Sequence, residues 1–190
     1  MLFRSAGVMV FAILGVAAAL LGHYRHRVRQ ADEALESATL RLEKGGRSGA
    51  ILDLQRGLGL IDGLPFCGDL SDALRGKLLL AQRRLKHWEL HRFLDQVRYV
   101  YGDDHASPDH LRSVESRCKE FWAQREEILQ AEDPTLKPDD LPTRDLLELA
   151  LVWSDVLVRL ATPQERPQAQ AKAASILRSV ESIEGSNPDR

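Results

Sequence analysis

An uncharged apolar run close to the N-terminus constrains this chain more than any other feature of its sequence. Residues 6–22 read AGVMVFAILGVAAALLG and contain no charged or strongly polar side chain. As a helix, the run would span roughly 25 Å, close to the thickness of the hydrocarbon core of a bilayer. We therefore predict a single transmembrane helix. Its lipid-contacting side chains are predicted to be Val8, Val10, Phe11, Ile13, Leu14, Val16, Leu20 and Leu21.

The residues on either side of the run are types that favour the membrane–water interface. Arginine side chains reach toward lipid headgroups, and tyrosine is common at the interface. The predicted lipid-interface residues are Arg4, Tyr24, Arg25, Arg27 and Arg29. Segment 1–30 is therefore interpreted as a transmembrane anchor with a basic juxtamembrane flank. A cleavable signal peptide is the competing interpretation, although its small-residue cleavage motif at 17–19 would lie inside the apolar run.

The distribution of charge leaves the membrane orientation open. Three arginines follow the run and one precedes it, which favours a cytoplasmic C-terminal body. Residues 23–101 carry 14 Lys and Arg against 10 Asp and Glu, whereas residues 102–190 carry 11 against 18. Solvated helix faces account for this asymmetry, and attraction of the basic half to anionic lipid is the alternative. No basic stripe is interleaved with aromatics, so nucleic acid is not a predicted partner.

Beyond residue 30, apolar residues recur every three to four positions, and no segment shows the alternation of a β-strand. The predicted fold is all-α, with antiparallel helical hairpins after the transmembrane helix, arranged either as a tetratricopeptide-like array or as an irregular bundle. Leucine and valine are so dense at 146–160 that this helix is predicted to be central. The predicted segments are a hairpin at 31–66, long helices at 67–131, a Pro-rich acidic loop at 132–143, a C-terminal hairpin at 144–185 and a tail at 186–190.

Local signals predict where several of these helices begin and end. Gly45-Gly46 and Pro65 are predicted to end helices, and Ser107-Pro108 and Thr143 to begin them. The span 70–101 lacks proline and is predicted to be one long helix, or two with a bend near residues 86–88. Thr162-Pro163 is predicted to begin the last helix. Cys67 and Cys118 are predicted to be small buried apolar residues, with a single disulfide as the alternative.

The two hairpins resemble the tetratricopeptide repeat. In segment 31–66, Ala38 takes the small packing position of the first repeat helix, and Ala50, Leu54 and Gly57 take the small–large–small positions of the second. In segment 144–185, the corresponding positions are occupied by Ala173, Leu177 and Val180. The resemblance implies a stack of helical pairs that presents a surface to another protein.

Three further stretches resemble the helical region beside the transmembrane segment of bacterial membrane-bound serine/threonine kinases. They are HRFLDQVRYVYGDD (91–104), ESRCKEFWAQREEIL (115–129) and RDLLELALVWSDVLVRL (144–160). The Gly-rich loop, the VAIK-type lysine and the HRD and DFG motifs of a kinase domain are absent from the sequence, so no kinase activity is carried over. The resemblance implies an anchored helical interaction module outside the cytoplasm, which is opposite to the side that the flanking charges favour.

Two groups of histidines could bind a metal ion. His87 and His91 are spaced i, i+4 on one helix face, but the glutamate that a zincin requires directly after the first histidine is missing. The loop before Ser107 and the helix start after it contain Asp104, His105 and His110, in a context that equally suits turns and helix caps. These five residues are the only candidate metal ligands. The prediction is that no metal, cofactor or catalytic residue is present.

The sequence therefore predicts a non-enzymatic membrane-anchored scaffold for protein–protein interaction. Its expected partners are lipid, through the N-terminal helix, and an unidentified protein or a second copy of the chain. Trp88 and Trp122 are the candidate partner contacts, with core packing as the alternative. Two other hypotheses remain open. One is a sensing or regulatory region that signals through dimerisation of the anchor, and the other is a metal-dependent enzyme that uses the histidines.

Overall fold

The computed structural model describes the backbone of residues 3–101, 107–130 and 141–184, and the side chains of residues 14–98, 107–130 and 141–180. Every regular element in these ranges is helical, which confirms the all-α prediction. The helices are α1 (Phe3–Glu43), α2 (Arg47–Ile61), α3 (Gly68–Tyr101), α4 (Pro108–Ala123), α5 (Arg125–Leu129), α6 (Pro142–Leu160) and α7 (Arg166–Glu184).

The chain forms two compact units, Met1–Gln82 and Arg83–Arg190, and α3 contributes residues to both. The predicted segment 67–131 is therefore divided between them. In the first unit, α1 and α2 form a hairpin whose buried residues are mainly small, which lets the helix backbones approach closely. The core of this unit consists of Ala31, Ala38, Leu42, Ala50, Leu54, Ile61, Cys67, Leu74 and Ala81.

The α1–α2 hairpin also has a polar link. Ser37 Oγ donates a hydrogen bond to Asp53 Oδ2 over 2.9 Å, and Arg41 Nε lies 3.0 Å from the same oxygen. The turn between the helices contains the predicted glycine pair, and Gly45 has φ of +78°. Glycine suits this position because the left-handed backbone region is open to it without steric cost. The hairpin begins near Tyr24. Of the side chains of α1 that are described, Tyr24 is the first that is half-buried rather than exposed.

The second unit is built around α6, which contacts α4, α5 and α7. Nine residues of α6 are buried, in line with the density of leucine and valine in its sequence. The rings of Phe93 on α3 and Phe121 on α4 lie 5.3 Å apart in the core. Ser154 Oγ of α6 donates a hydrogen bond to the carbonyl of Ala173 on α7 over 3.4 Å.

Some of the predicted helix starts agree with the structure and others do not. Thr143 lies inside α6, which begins at Pro142 after the N-cap Leu141. Ser107 caps α4, since its Oγ accepts a hydrogen bond from the backbone N–H of His110. The span 70–101 forms one helix, without the alternative division near residue 87. Thr162 is not itself helical. Its Oγ donates to Glu165 Oε2 over 2.8 Å in a capping turn, and α7 begins one residue later.

Among the residues that the structure describes, no helix is both long enough and apolar enough to cross a membrane. The predicted transmembrane run lies only partly within this range, because side chains are described from Leu14 onward. The anchor residues Val8, Val10, Phe11 and Ile13 and the interface residue Arg4 lie outside the described side chains. The predicted loop at 132–143 lies almost entirely outside the described residues, as do Asp104 and His105.

Candidate functional site

The apolar end of α1, which we define as residues 14–23, has no protein neighbour that covers it. Every residue in this range is exposed. The relative exposures of Leu14, Val16, Leu20 and Leu21 lie between 59 and 65%. A contiguous exposed apolar surface usually marks a site of interaction, because apolar side chains are stabilised by removal from water. The predicted anchor residues for which side chains are described thus share one uncovered stretch of helix.

Tyr24 marks the point where α1 meets the rest of the first unit. Its hydroxyl donates a hydrogen bond to the carbonyl oxygen of Pro65 over 2.9 Å, and the same oxygen lies 3.4 Å from Cys67 Sγ. Both partners belong to the turn between α2 and α3. The contact joins positions 41 and 43 residues apart in sequence, so it fixes this turn beside the last residues of the apolar end.

Phe66 lies between these two contacts and is the most unusual residue in the turn. Its side chain is 99% exposed and its φ is +59°, the left-handed region. That conformation costs a residue other than glycine roughly 1–2 kcal/mol. The turn retains it because both neighbours are held, Pro65 by Tyr24 and Cys67 by burial. Sequence reasoning missed Phe66, since a lone aromatic after proline carries no signal of exposure.

The basic residues that follow the apolar end have different environments. Arg25 is exposed. Arg29 is exposed and forms an ion pair of 3.0 Å with Glu33 on its own helix. Arg27 is half-buried, and its guanidinium lies 3.4 Å from the carbonyl oxygen of Gly59 on α2. Two of the three arginines therefore have protein partners as well as access to solvent.

The second candidate site is a buried cluster of His87, His91 and Asp145. His87 and His91 lie on the same face of α3, as their spacing predicts. Asp145 in the first turn of α6 lies between them, with Oδ2 at 3.0 Å from His87 Nε2 and 3.1 Å from His91 Nδ1. Sequence reasoning did not include Asp145 among the candidate site residues. Its partners are 54 and 58 residues away, so no local pattern could identify them.

The geometry of this cluster suits a structural role better than metal binding. One nitrogen of each imidazole faces the carboxylate of Asp145, Nε2 of His87 and Nδ1 of His91, so the three side chains pair with one another. Asp145 is 1% exposed and His87 is buried, whereas the side chain of His91 is 34% exposed. In the part of the chain that is described, no group of three or more His, Cys, Asp or Glu side chains is arranged to hold a metal ion. His110 is exposed at the start of α4.

Further polar contacts follow α3 on both sides of the cluster. Lys86 pairs with Glu127 of α5, and the Arg98 guanidinium pairs through two of its nitrogens with the carboxylate of Glu148 on α6. The hydrogen bond to Glu148 raises the pKa of Arg98 further above its ordinary value. These contacts place α3 among the other helices of the second unit.

The two tryptophans predicted to contact a partner differ in exposure. Trp122 is half-buried, with its ring 6.0 Å from that of the buried Trp153 and the Arg125 guanidinium 5.7 Å from its centre. It therefore packs against the core, as the alternative interpretation held. Trp88 is 38% exposed, and the Arg92 guanidinium lies 5.4 Å from its ring centre. Trp88 is the better placed of the two to contact another molecule.

Comparison of the chain with protein-family models, curated proteins and solved structures finds no match.

Proposed function

We propose that this chain is a single-pass membrane protein whose helical body is a non-enzymatic scaffold for binding another protein. The observation that carries the proposal is the exposed apolar end of α1. Burying a leucine or valine side chain contributes about 1.5–3 kcal/mol, so the four large side chains between Leu14 and Leu21 favour an apolar environment strongly. The sequence continues the same apolar character back to Ala6.

The position of the exposed residues along α1 supports a bilayer as that environment. Leu14 to Leu21 precede Tyr24, and three arginines follow within one and a half helical turns. Apolar residues followed by tyrosine and arginine match the change from hydrocarbon to headgroup at a membrane surface. The opposing predictions for the side on which the body lies both remain predictions.

The pattern of buried small residues supports a tetratricopeptide-like arrangement in the first unit. Ala38, Ala50 and Leu54 are fully buried, and Gly57 is buried at the position predicted to be small. An alanine Cβ at Gly57 would lie 3.3 Å from Ala34 Cβ, so α1 and α2 approach closely at this position. Helical pairs of this kind commonly present a face to a protein partner.

Trp88 and Arg92 support the binding role, because tryptophan and arginine dominate the energetics of protein interfaces. In this proposal the His87–Asp145–His91 cluster has a structural role, because its contacts join α3 to α6. The sensor and metal-enzyme hypotheses remain predictions from the sequence.

The membrane part is tested by flotation of purified protein with lipid vesicles through a density gradient. The test variant carries Leu14→Ser, Val16→Ser, Leu20→Ser and Leu21→Ser. The control removes the same number of exposed large aliphatic side chains elsewhere, through Leu40→Ser, Leu52→Ser, Leu79→Ser and Leu151→Ser. We expect the wild type and the control to float, and the floated fraction of the test variant to fall at least tenfold. Equal flotation of the two variants, or a wild type that stays at the bottom, would contradict the proposal.

The scaffold part is tested by affinity capture from detergent extract. A specific partner is expected to be recovered with the wild type and with Leu151→Ala, and to be lost with Trp88→Ala. Recovery that is unaffected by Trp88→Ala would remove Trp88 from the interface. Failure to recover any protein repeatedly would count against a scaffold.

A further inference from the structure

We propose that Phe66 inserts into the membrane interface, so that the turn between α2 and α3 is a second lipid contact beside the anchor. This inference rests on the proposed membrane attachment of α1. It concerns a different part of the chain, the turn that we define as residues 62–68, and it assigns a role to a side chain that the fold itself does not use.

Folding does not explain a phenylalanine at position 66. The ring is 99% exposed, so it contributes almost nothing to the core. The backbone there has φ of +59°, which glycine or asparagine adopts more readily than an aromatic residue. A strained backbone that presents an apolar ring to solvent indicates that the ring contacts something outside this chain.

Phe66 lies close to the position on α1 where the apolar run ends. Tyr24 Oη is hydrogen-bonded to Pro65, the residue before Phe66, and lies 3.4 Å from the sulfur of Cys67, the residue after it. Tyr24 follows Gly22, the last residue of the apolar run, by only two positions, which is about 3 Å along a helix axis. The turn is therefore fixed at the level where the apolar run ends, and an anchored α1 would bring Phe66 to the headgroup region.

The residues close to Tyr24 and Phe66 indicate what kind of lipid contact Phe66 makes. Phenylalanine is among the apolar side chains that bury at the boundary between headgroups and acyl chains, and Arg25 and Arg27 follow Tyr24 on α1. Asp62 in the turn and Asp69 in the first turn of α3 are both exposed, and their charges oppose anionic lipid. The contact made by Phe66 is accordingly apolar, and we expect it in zwitterionic vesicles without any requirement for anionic lipid.

The experiment compares an environment-sensitive fluorophore at two positions in the full-length chain reconstituted into phosphatidylcholine vesicles. The fluorophore is attached at Phe66→Cys or, as the matched control, at Leu52→Cys, an exposed position on α2. Cys67 and Cys118 are buried, so the introduced thiol is the accessible one. At position 66 we expect a lipid-borne quencher to reduce emission at least twofold and aqueous iodide to quench at least threefold less than at position 52.

Unlabelled protein provides a second measurement that excludes insertion driven by the fluorophore. Hydrogen exchange of the backbone amides of residues 62–68 is expected to slow at least threefold when vesicles are added. In Phe66→Gly, which suits the left-handed backbone and keeps the fold, this slowing should largely disappear.

The outcomes separate this inference from the proposed attachment. If the wild type floats with vesicles but position 66 is as accessible to iodide as position 52, the inference is wrong and the attachment stands. Protection from iodide without quenching by lipid would also overturn it and would indicate that protein, such as a second copy of the chain, covers Phe66. If the wild type does not float, both proposals fail.

Discussion

The side chain of Asp145 joins two helices of the second unit. It is almost completely buried and accepts hydrogen bonds from two imidazoles on another helix. A buried carboxylate is costly to desolvate unless its oxygens are satisfied, and removal of one member leaves its partners unpaired. The cluster therefore stabilises the contact between α3 and α6 only while it is complete.

We predict that Asp145→Ala lowers the free energy of unfolding of the second unit by about 2–4 kcal/mol, because two imidazoles lose their acceptor. Asp95→Ala is the matched control, since Asp95 is exposed and its Oδ2 lies 3.7 Å from His91 Nε2. Its loss should cost less than about 1 kcal/mol. Urea denaturation followed by tryptophan fluorescence measures both values, because Trp88, Trp122 and Trp153 all belong to the second unit. Equal losses in the two variants would show that the buried cluster contributes no more than a surface contact.

For individual residues, the sequence predicted which side chains share a helix face. It did not predict which side chains of other helices they contact. The i, i+4 relation of His87 and His91 was enough to place both on one face of α3. It could not show that Asp145 completes the cluster, because that contact depends on how two distant helices pack. Phe66 was missed for a related reason. Its exposure follows from the tertiary contacts of Tyr24, and neither its residue type nor its neighbours indicate it.

At the scale of helices, α2 contains three glycines, of which Gly57 and Gly59 lie in its C-terminal half. Glycine inside a helix is usually destabilising, and the sequence assigned a packing position to Gly57 but not to Gly59. The structure separates them, because a Cβ at Gly57 would lie 3.0 Å from Leu74 Cδ2 and 3.3 Å from Ala34 Cβ, whereas a Cβ at Gly59 meets nothing within 4 Å. Gly57 permits close helix packing, and Gly59 only adds conformational entropy to the unfolded chain.

Substitution of each glycine by alanine is therefore expected to change stability in opposite directions. Gly59→Ala should raise the free energy of unfolding of the first unit by about 0.5–1 kcal/mol, the usual difference between the two residues inside a helix. Gly57→Ala should lower it by about 1–3 kcal/mol, because the added methyl group forces neighbouring helices apart. Thermal unfolding followed by circular dichroism compares the pair. A gain in stability for both would show that the helices yield easily at Gly57.

Caps and prolines predicted some helix ends and not others. Thr143 lies inside α6, which begins at Pro142, and α7 begins at Arg166 rather than at Pro163. Ser107 and Pro108 gave the start of α4 correctly because capping involves only adjacent residues. The predicted helix to residue 131 is instead interrupted at Gln124, where φ is −99° and ψ is 7°. No glycine or proline lies at that point. Ile128, on the short helix that follows, is fully buried, so core packing outweighs the local preference there.

For the molecule as a whole, the central finding is that two separate cores share one long helix. Leu74 and Ala81 of α3 belong to the core of the first unit, and Leu90 and Leu94 belong to that of the second. Periodicity predicted the apolar face of α3 throughout. It could not show where one core ends and the next begins, because the face is continuous along the helix.

The two free cysteines allow the unfolding of each unit to be followed separately. Cys67 is buried in the first unit and Cys118 in the second. Burial, with a smaller effect from the charge of Glu115, raises the pKa of Cys118 to about 12. The native thiol therefore stays protonated at neutral pH and reacts slowly. Since the folded pKa exceeds the ordinary value near 9, this group favours folding below pH 9, and that contribution is lost as pH rises toward 12.

We predict that Leu54→Ala makes Cys67 reactive at lower urea concentration and leaves Cys118 unchanged, whereas Leu149→Ala does the reverse. Both leucines are fully buried, so each substitution should cost about 2–5 kcal/mol in its own unit. Pulsed labelling at pH 7 followed by peptide mass spectrometry gives the two midpoints. If both cysteines shift together in both variants, the chain unfolds as one cooperative block.

Helix α1 continues without interruption from Phe3 to Glu43, a length of 41 residues or about 60 Å. The residues that would enter the bilayer and the residues that form the hairpin with α2 are thus parts of one stiff rod, with no hinge between them. If α1 is anchored as proposed, the hairpin is held at a fixed distance from the bilayer and in a fixed rotational orientation when a partner binds. Any twist of the embedded end about the rod's axis would turn Ala31 and Ala38 through the same angle.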